Sequence, residues 1–401
     1  MKKRLLPLLL LSLSAHAKFT IPGFELVYTT PVETTLTNPD LRDPVTVWDG
    51  LFDSAKTRID IAQFYVSSQA GEPLATVIEH LRQAGQRGVK IRFLMDQHGL
   101  RAADPATIKT LKAIPNLTFR LIDYNKVGGG IIHAKYMVID GKAAYVGSQN
   151  FDWRSLKHIH EAGLRITEQP MVSQIQAIFN IDWQAQQLLA AGKPVPVLNQ
   201  QPVLANEQQP AYLVASPNAY NPPGVGDSQS ELPRLLDKAQ HQVLIQVMEY
   251  APLSYATGRR PYYAVIDDAI RRTAQRGVKI ELMVADWNTK EPELSYLKSL
   301  QVLPNVTVKI VTLPQASQGF IPYARVMHTK TMTIDGKIAW LGTSNWEGGY
   351  LDNSRNLEVV MNSPKMAKRL AELHQQLWNS RYAKVLDINR QYPKPHPGSA
   401  N

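Results

Sequence analysis

The sequence predicts an α/β protein of two homologous lobes, each a mixed sheet flanked by helices, with one active site shared at their interface. Three observations carry this. An 18-residue stretch occurs twice, as H-A-K-Y-M-V-I-D-G-K-A-A-Y-V-G-S-Q-N from His133 to Asn150 and as H-T-K-T-M-T-I-D-G-K-I-A-W-L-G-T-S-N from His328 to Asn345. Another stretch, A-G-Q-R-G-V-K-I at 84–91, returns as T-A-Q-R-G-V-K-I at 273–280. Both halves also alternate strand-like and helix-like runs, which is the pattern of α/β lobes.

In chain order, Met1-Lys2-Lys3-Arg4, an apolar run from Leu5 to Leu13 and Ala15-His16-Ala17 read as a secretory signal peptide over residues 1–17. The apolar run is too short to span a membrane, which needs about 20 residues. The mature protein is therefore expected outside the cytoplasm, secreted or periplasmic, after cleavage near Ala17. The N-terminal lobe is expected over 18–195. It opens with an extended lead-in and a strand at 24–28, followed by an amphipathic helix over 46–55 and a strand over 59–66. A helix over 74–87 stops at Gly88, whose missing Cβ suits a left-handed cap. Strands at 89–96 and 117–122 flank a helix over 108–113. Gly128-Gly129-Gly130 has no following Lys-Ser/Thr helix start, so it reads as a flexible approach to the first motif and not as a phosphate-binding loop.

The linker is expected over 196–212, within a Pro, Gln and Asn-rich stretch, and the C-terminal lobe over 213–390. That lobe repeats the plan, with Pro304-Asn305 answering Pro115-Asn116 at an offset of 189. The motif histidines are 195 apart, so six extra residues fall in between. They lie in the loop 312–323, expected to overhang the site. Residues 391–401 are expected to form a disordered tail.

In each motif a lysine follows the histidine by two residues, an aspartate by seven and an asparagine by seventeen. The period of a strand places His and Lys on one face. A single His-x-Lys pair would more often be coincidence. Packing alone has no reason to keep five polar or glycine positions at equal offsets in both halves.

The pattern H-x-K-x4-D-x6-G-[ST] resembles the duplicated motif of the phospholipase D superfamily. Asp152-Trp153-Arg154-Ser155, Ile321 to Val326 and Gly342 to Trp346 are similar to the branch holding the lysosomal phospholipase D-like 5′-exonucleases and the poxvirus envelope phospholipase. The resemblance covers nearly all of the chain between 24 and 385. It implies a phosphodiesterase working through a phosphohistidine, with His133 as nucleophile and His328 as general acid/base. The spacing itself leaves the order of the two open. Lys135, Lys330, Asn150 and Asn345 would bind the non-bridging oxygens of a phosphodiester, which must be neutralised before a nucleophile can approach. Glu161 and Glu358 look like the superfamily's supporting acids, each orienting a histidine. Asp140 and Asp335 precede Asp-Gly turns and are expected to be structural support.

No metal or other cofactor is expected, because Lys and His provide the charge a metal would bring. His158 and His160 lack a matching acidic cluster and read as surface residues. Trp153, Trp346 and Tyr350 can stack bases, sit at a lipid headgroup or simply fill a core. Arg259, Arg260, Tyr262 and Tyr263 are expected on a substrate-facing loop. The chain has no cysteine, which excludes disulfides, thiolate metal sites and cysteine nucleophiles. Its net charge of +10 falls to +7 without Lys2, Lys3 and Arg4 and suits a polyanion. The expected partner is a phosphodiester substrate, either phospholipid or single-stranded nucleic acid. Peripheral contact with a membrane stays open, and no obligate protein partner is expected. A lipase and a strict 5′-exonuclease remain alternatives, with a non-catalytic binding protein as the rival from another class.

Overall fold

A computed structural model describes residues 18–255 and 260–399. The expected leader and Arg259 lie outside the described residues. Two mixed sheets carry the chain. The first has eight strands and the second nine; the seven that the two share lie, in the first, in the spatial order Phe24–Thr29, Glu161–Ile166, Ala143–Gly147, Lys135–Ile139, Arg58–Gln63, Lys90–Asp96, Leu117–Ile122. The second repeats that order with Ala211–Ser216, Asn356–Met361, Ile338–Gly342, Lys330–Ile334, Gln242–Val247, Lys279–Ala285 and Val306–Val311. In both, the central strand is antiparallel to the motif strand and parallel to the strand on its other side. Helices Pro73–Gln86 and Ala264–Gln275 make the parallel connections.

Local chemistry explains where the elements begin. Asp43, Asp104 and Ser363 each precede a proline, and each side chain accepts the backbone N–H three residues on. Cap and N1 proline together start helices Pro44–Ser54, Pro105–Lys112 and Pro364–Trp378. The first two therefore start two and three residues earlier than apolar spacing indicates. After each motif strand the turn is left-handed at both residues, with φ of 53° and 65° at Asp140-Gly141 and 52° and 64° at Asp335-Gly336. That conformation suits a two-residue hairpin.

Each lobe has its own core on the outer side of its sheet, one containing Trp48, Phe93 and Phe151 and the other Trp340, Trp346 and Ile280. A third core runs through both lobes. It joins Tyr136, Val138 and Leu164 of the first sheet to Leu341, Leu357 and Val359 of the second, with Ile178 and Phe179 of helix Gln169–Ala190 and Leu370 of helix Pro364–Trp378. The loop 312–323 reaches Glu33 and Arg154 through Ser317 and Pro322. Neither of those residues belongs to the motifs, so the expected overhang is not what its contacts describe.

The tail also differs from expectation. Tyr392 lies under Lys298 and Arg390, the Pro393 carbonyl accepts from Thr289, and the Pro397 carbonyl accepts from Tyr323 N. A proline-rich segment reads as free in sequence, but these contacts hold residues 391–399 on the C-terminal lobe.

One ion pair locks the inner core. Arg355 is fully buried and pairs with Asp182 of helix Gln169–Ala190 at 2.9 Å, while also donating to the carbonyls of Ser216 and Tyr220. Removing one partner would strand the other charge in a dry interior. Asp182→Ala is expected to cost about 3 kcal/mol or more, read from the midpoint of denaturant unfolding. An unchanged midpoint would mean that the pair contributes nothing to the assembled fold.

Candidate active site

Each motif histidine stands two residues before its motif strand, and the opposite lobe holds it there. His133 N and Ala134 N both donate to the Arg355 carbonyl, at 3.0 and 2.8 Å. In the mirrored arrangement His328 N donates to the His160 carbonyl at 2.9 Å. Ile132 bridges Arg355 in parallel, and His160 bridges Met327 in the same way. These positions match at the 195-residue offset: 132 with 327, and 160 with 355.

The same exchange governs the imidazoles. His328 Nδ1 lies 2.7 Å from Glu161 Oε2, and His133 Nδ1 lies 2.9 Å from Asn356 Oδ1. Asn356 Nδ2 donates to the Tyr350 carbonyl at 2.9 Å, and its Oδ1 accepts from the Thr343 hydroxyl at 2.8 Å. With the amide fixed in that sense, His133 Nδ1 carries the hydrogen and Nε2 keeps its lone pair. An ionised carboxyl behind His328 likewise accepts a hydrogen bond from Nδ1–H and leaves Nε2 for chemistry.

Glu358, expected beside His328, does not touch a histidine. Its carboxylate is buried and accepts from the hydroxyls of Ser228 and Ser344. Two residues along a strand return to the same face, so Glu358 lies one step beyond the orienting position. It packs over Gly342, where a Cβ would meet Glu358 Cγ at 2.4 Å. The residue equivalent to Glu161 is Asn356, as the motif offset indicates (161 and 195 give 356). Glu161 itself orients the histidine of the other lobe and not that of its own.

Lys135 and Lys330 are buried, and each ammonium donates to the carbonyl of the histidine two residues before it. Burial, with the charges of the two lysines, holds both imidazoles well below their ordinary pKa. Burial also takes Lys330 down to about 7, against Glu161 and Glu249, and raises the Glu161 carboxyl to about 8, against Lys330. The site is thus short of counter-charge when empty. An arriving phosphodiester anion would supply it to both lysines and to a protonated His328.

Asn345 Nδ2 donates to Glu249 Oε2 at 2.9 Å. The Oδ1 atoms of Asn150 and Asn345 are buried without a partner among the described residues. Asp140 accepts from the backbone N–H groups of Lys56, Thr57 and Arg58, and Asp335 from those of Gln240, His241 and Gln242. Each aspartate thereby ties the motif hairpin to the start of the central strand, away from the histidines.

Four further expectations are corrected or resolved. His158 and His160 are both buried, not on the surface. The His160 ring meets the Tyr28 hydroxyl and the Gln246 amide, polar partners that make its burial affordable. Trp153 and Trp346 are core residues, edge-on to His158 and Trp340, whereas the Tyr350 ring stands 4.8 Å from that of His133. On the proposed substrate loop, Arg260 is paired with Glu293 and Glu347, Tyr262 bonds Asp267, and Tyr263 is buried against Gln229.

Two facing imidazoles with tethered Nδ1 atoms and two ammonium groups can neutralise a phosphodiester, attack it and protonate what leaves. The comparisons with known proteins agree with that chemistry. The family described as cardiolipin synthase, PLD-like domain, matches residues 50–183 and 232–378, one stretch in each lobe. A 5′-3′ exonuclease PLD3 of Xenopus laevis is 31% identical over 377 residues, covering 84% of this chain and 75% of its own. A probable phospholipase D of Caenorhabditis elegans is 30% identical over 370 residues, covering 84% of this chain and 66% of its own. The crystal structure of a phosphatidylserine synthase from Haemophilus influenzae shares the fold, with a TM-score of 0.65 at 13% identity over 94% of this chain and 90% of that one.

The aspartates give a direct test of this geometry. Asp335→Ala removes the acceptor of three backbone donors and should lower stability by about 1–2 kcal/mol. Denaturant unfolding measures the loss, and turnover by the protein that remains folded should change by only a few fold. A loss as complete as that of a motif histidine would place Asp335 in the chemistry.

Proposed function

The chain belongs to the phospholipase D superfamily as one of its phosphodiesterases, and we propose that it cleaves single-stranded nucleic acid from the 5′ end through a covalent phosphohistidine. The observation that carries the mechanism is the unequal pair behind the histidines. Asn356 is neutral and keeps His133 as an unprotonated nucleophile. Glu161 is acidic and favours the imidazolium of His328, which a general acid must be.

In the first step His133 Nε2 attacks phosphorus while Lys135 and Lys330 hold the non-bridging oxygens. The bond from phosphorus to the leaving oxygen breaks, and His328 Nε2 gives that oxygen its proton. In the second step His328, now neutral, takes a proton from water. The hydroxide attacks phosphorus, the P–N bond breaks, and His133 is free again. An alcohol in place of water would give transfer instead of hydrolysis.

The choice of nucleic acid is supported by the exonuclease relatives, which align over most of the chain, and by the positive net charge. The worm relative, described as a probable phospholipase D, supports a second reading in which a phospholipid headgroup is released. We further propose that the enzyme works outside the cytoplasm, on the strength of residues 1–17.

Turnover of 5′-labelled single-stranded DNA is compared with that of phosphatidylcholine or phosphatidylglycerol vesicles, with chelator present throughout. Stepwise loss of 5′ nucleotides with intact lipid is expected, and headgroup release with intact DNA would replace the first reading by the second. His133→Ala and His328→Ala should each abolish turnover without unfolding the protein, and near-normal activity in either would overturn the two-histidine mechanism.

Glu161→Gln removes a carboxyl whose ionised form, in the complex, would favour protonated His328. The pKa of His328 in the complex should fall, so the alkaline limb of the kcat profile moves to lower pH. At neutral pH kcat should drop at least about tenfold. An unmoved alkaline limb would show that Glu161 does not act through His328.

A further inference from the structure

Because the chain is duplicated, each lobe serves as a control for the other. Val66 pairs with Phe151 as Tyr250 pairs with Trp346, so Tyr65 corresponds to Glu249. At the motif offset Asp152 corresponds to Glu347 and Arg154 to Gly349. In the N-terminal lobe this trio is closed. The Tyr65 hydroxyl donates to Asp152 at 2.5 Å, and Arg154 Nε donates to the same carboxylate at 3.0 Å and its guanidinium to the Pro322 carbonyl at 2.9 Å.

The C-terminal lobe lacks both the tyrosine ring and the arginine at those positions. There a cavity of about 110 Å³ opens, lined by Glu249, Tyr255, Arg260, Lys290, Glu293 and Glu347. It adjoins the reacting groups, since Glu249 holds Asn345 and Tyr350, also on its wall, packs on His133.

Several polar groups of this cavity are paired, Arg260 with Glu293 and Glu347 and Glu249 with Asn345, but the pairing is incomplete. Glu293 is 4% exposed, and Arg260 donates to its Oε1 at 2.6 Å. Its Oε2 is buried with no donor among the described residues, where every such acceptor carries a desolvation cost until something supplies a hydrogen. Lys290 also lines the cavity, where its positive charge favours the Glu249 carboxylate without a close ion pair among the described residues, and it offers a donor. Acceptors and a donor on one wall suit hydroxyl groups, which both give and take hydrogen bonds. An alkyl group would leave Glu293 Oε2 unmet, and a second phosphate would face three carboxylates.

Building on the phosphodiesterase reading, we propose that this cavity binds the hydroxyl-bearing part, pentose or glycerol, of one alcohol esterified to the phosphate, and so selects hydroxyl-bearing over alkyl diesters. Glu293 and Lys290 would be its specificity-determining residues.

The test compares three 4-nitrophenyl phosphodiesters, those of ethanol, of glycerol and of thymidine through its 3′ oxygen. For the unaltered protein, KM for the glycerol or the thymidine diester should be at least about tenfold below that for the ethyl diester, as the loss of hydrogen-bonded hydroxyls implies. Whichever of the two holds the advantage identifies the source as lipid-like or nucleotide-like. Glu293→Gln and, as a half-buried side chain less coupled to folding, Lys290→Ala should each erase the difference while leaving the ethyl diester unchanged. Equal KM values in the unaltered protein, or discrimination that survives in both variants, would overturn the proposal. Failure to turn over any of the three, the ethyl diester included, would instead strike the two-histidine mechanism and this inference with it.

Discussion

The structure depends on one reciprocal arrangement: each lobe carries a motif histidine whose position and ring orientation are set by the other lobe. His133 leans on Arg355 and Asn356, and His328 leans on His160 and Glu161. The inner core and the Arg355–Asp182 pair serve this exchange, because a small shear between the sheets would lengthen these hydrogen bonds together. Rigid packing of that kind transmits displacement instead of absorbing it. The site is an interface property, and neither lobe contains a complete one.

Within that near-symmetry the departures carry the chemistry. A symmetric pair of histidines with equal partners would have no reason to differ in proton affinity. At one of two matched positions, Glu161 against Asn356, an amide stands for a carboxylate, and under the proposed mechanism that difference would make one imidazole the better acid and the other the better nucleophile. The departure at Tyr65 against Glu249 does the same for space, closing one flank and opening the other. Burial raises the stakes of both, since charges and polar atoms in a dry site interact far more strongly than they would in water.

Much of this was legible in the sequence. The seven-strand plan of each lobe followed from apolar runs and their turn residues, and the motif residues from their equal spacing. The partners of the histidines were not, because a strand 28 residues downstream is naturally assigned to its own lobe, whereas here it serves the neighbour. Choosing Glu358 over Asn356 followed carboxylate chemistry at the expense of the 195-residue offset, which pointed to the amide. His160 misled for a different reason. Its polarity suggests solvent, and only the fold brings Tyr28 and Gln246 to it. Caps were visible as Asp-Pro and Ser-Pro pairs, yet apolar spacing alone placed two helix starts too late.

The sequence distances across the interface set an order of events during synthesis. His328 and Glu161 are separated by 167 residues, and His133 and Asn356 by 223. Contacts so remote close last, after local strands and helices have formed. A growing chain that has emerged through residue 300 already displays the first histidine and lysine. It still lacks Asn356 and the whole second motif. Such a chain holds only half of the histidine partners, so the complete site forms only once the second lobe has joined the first.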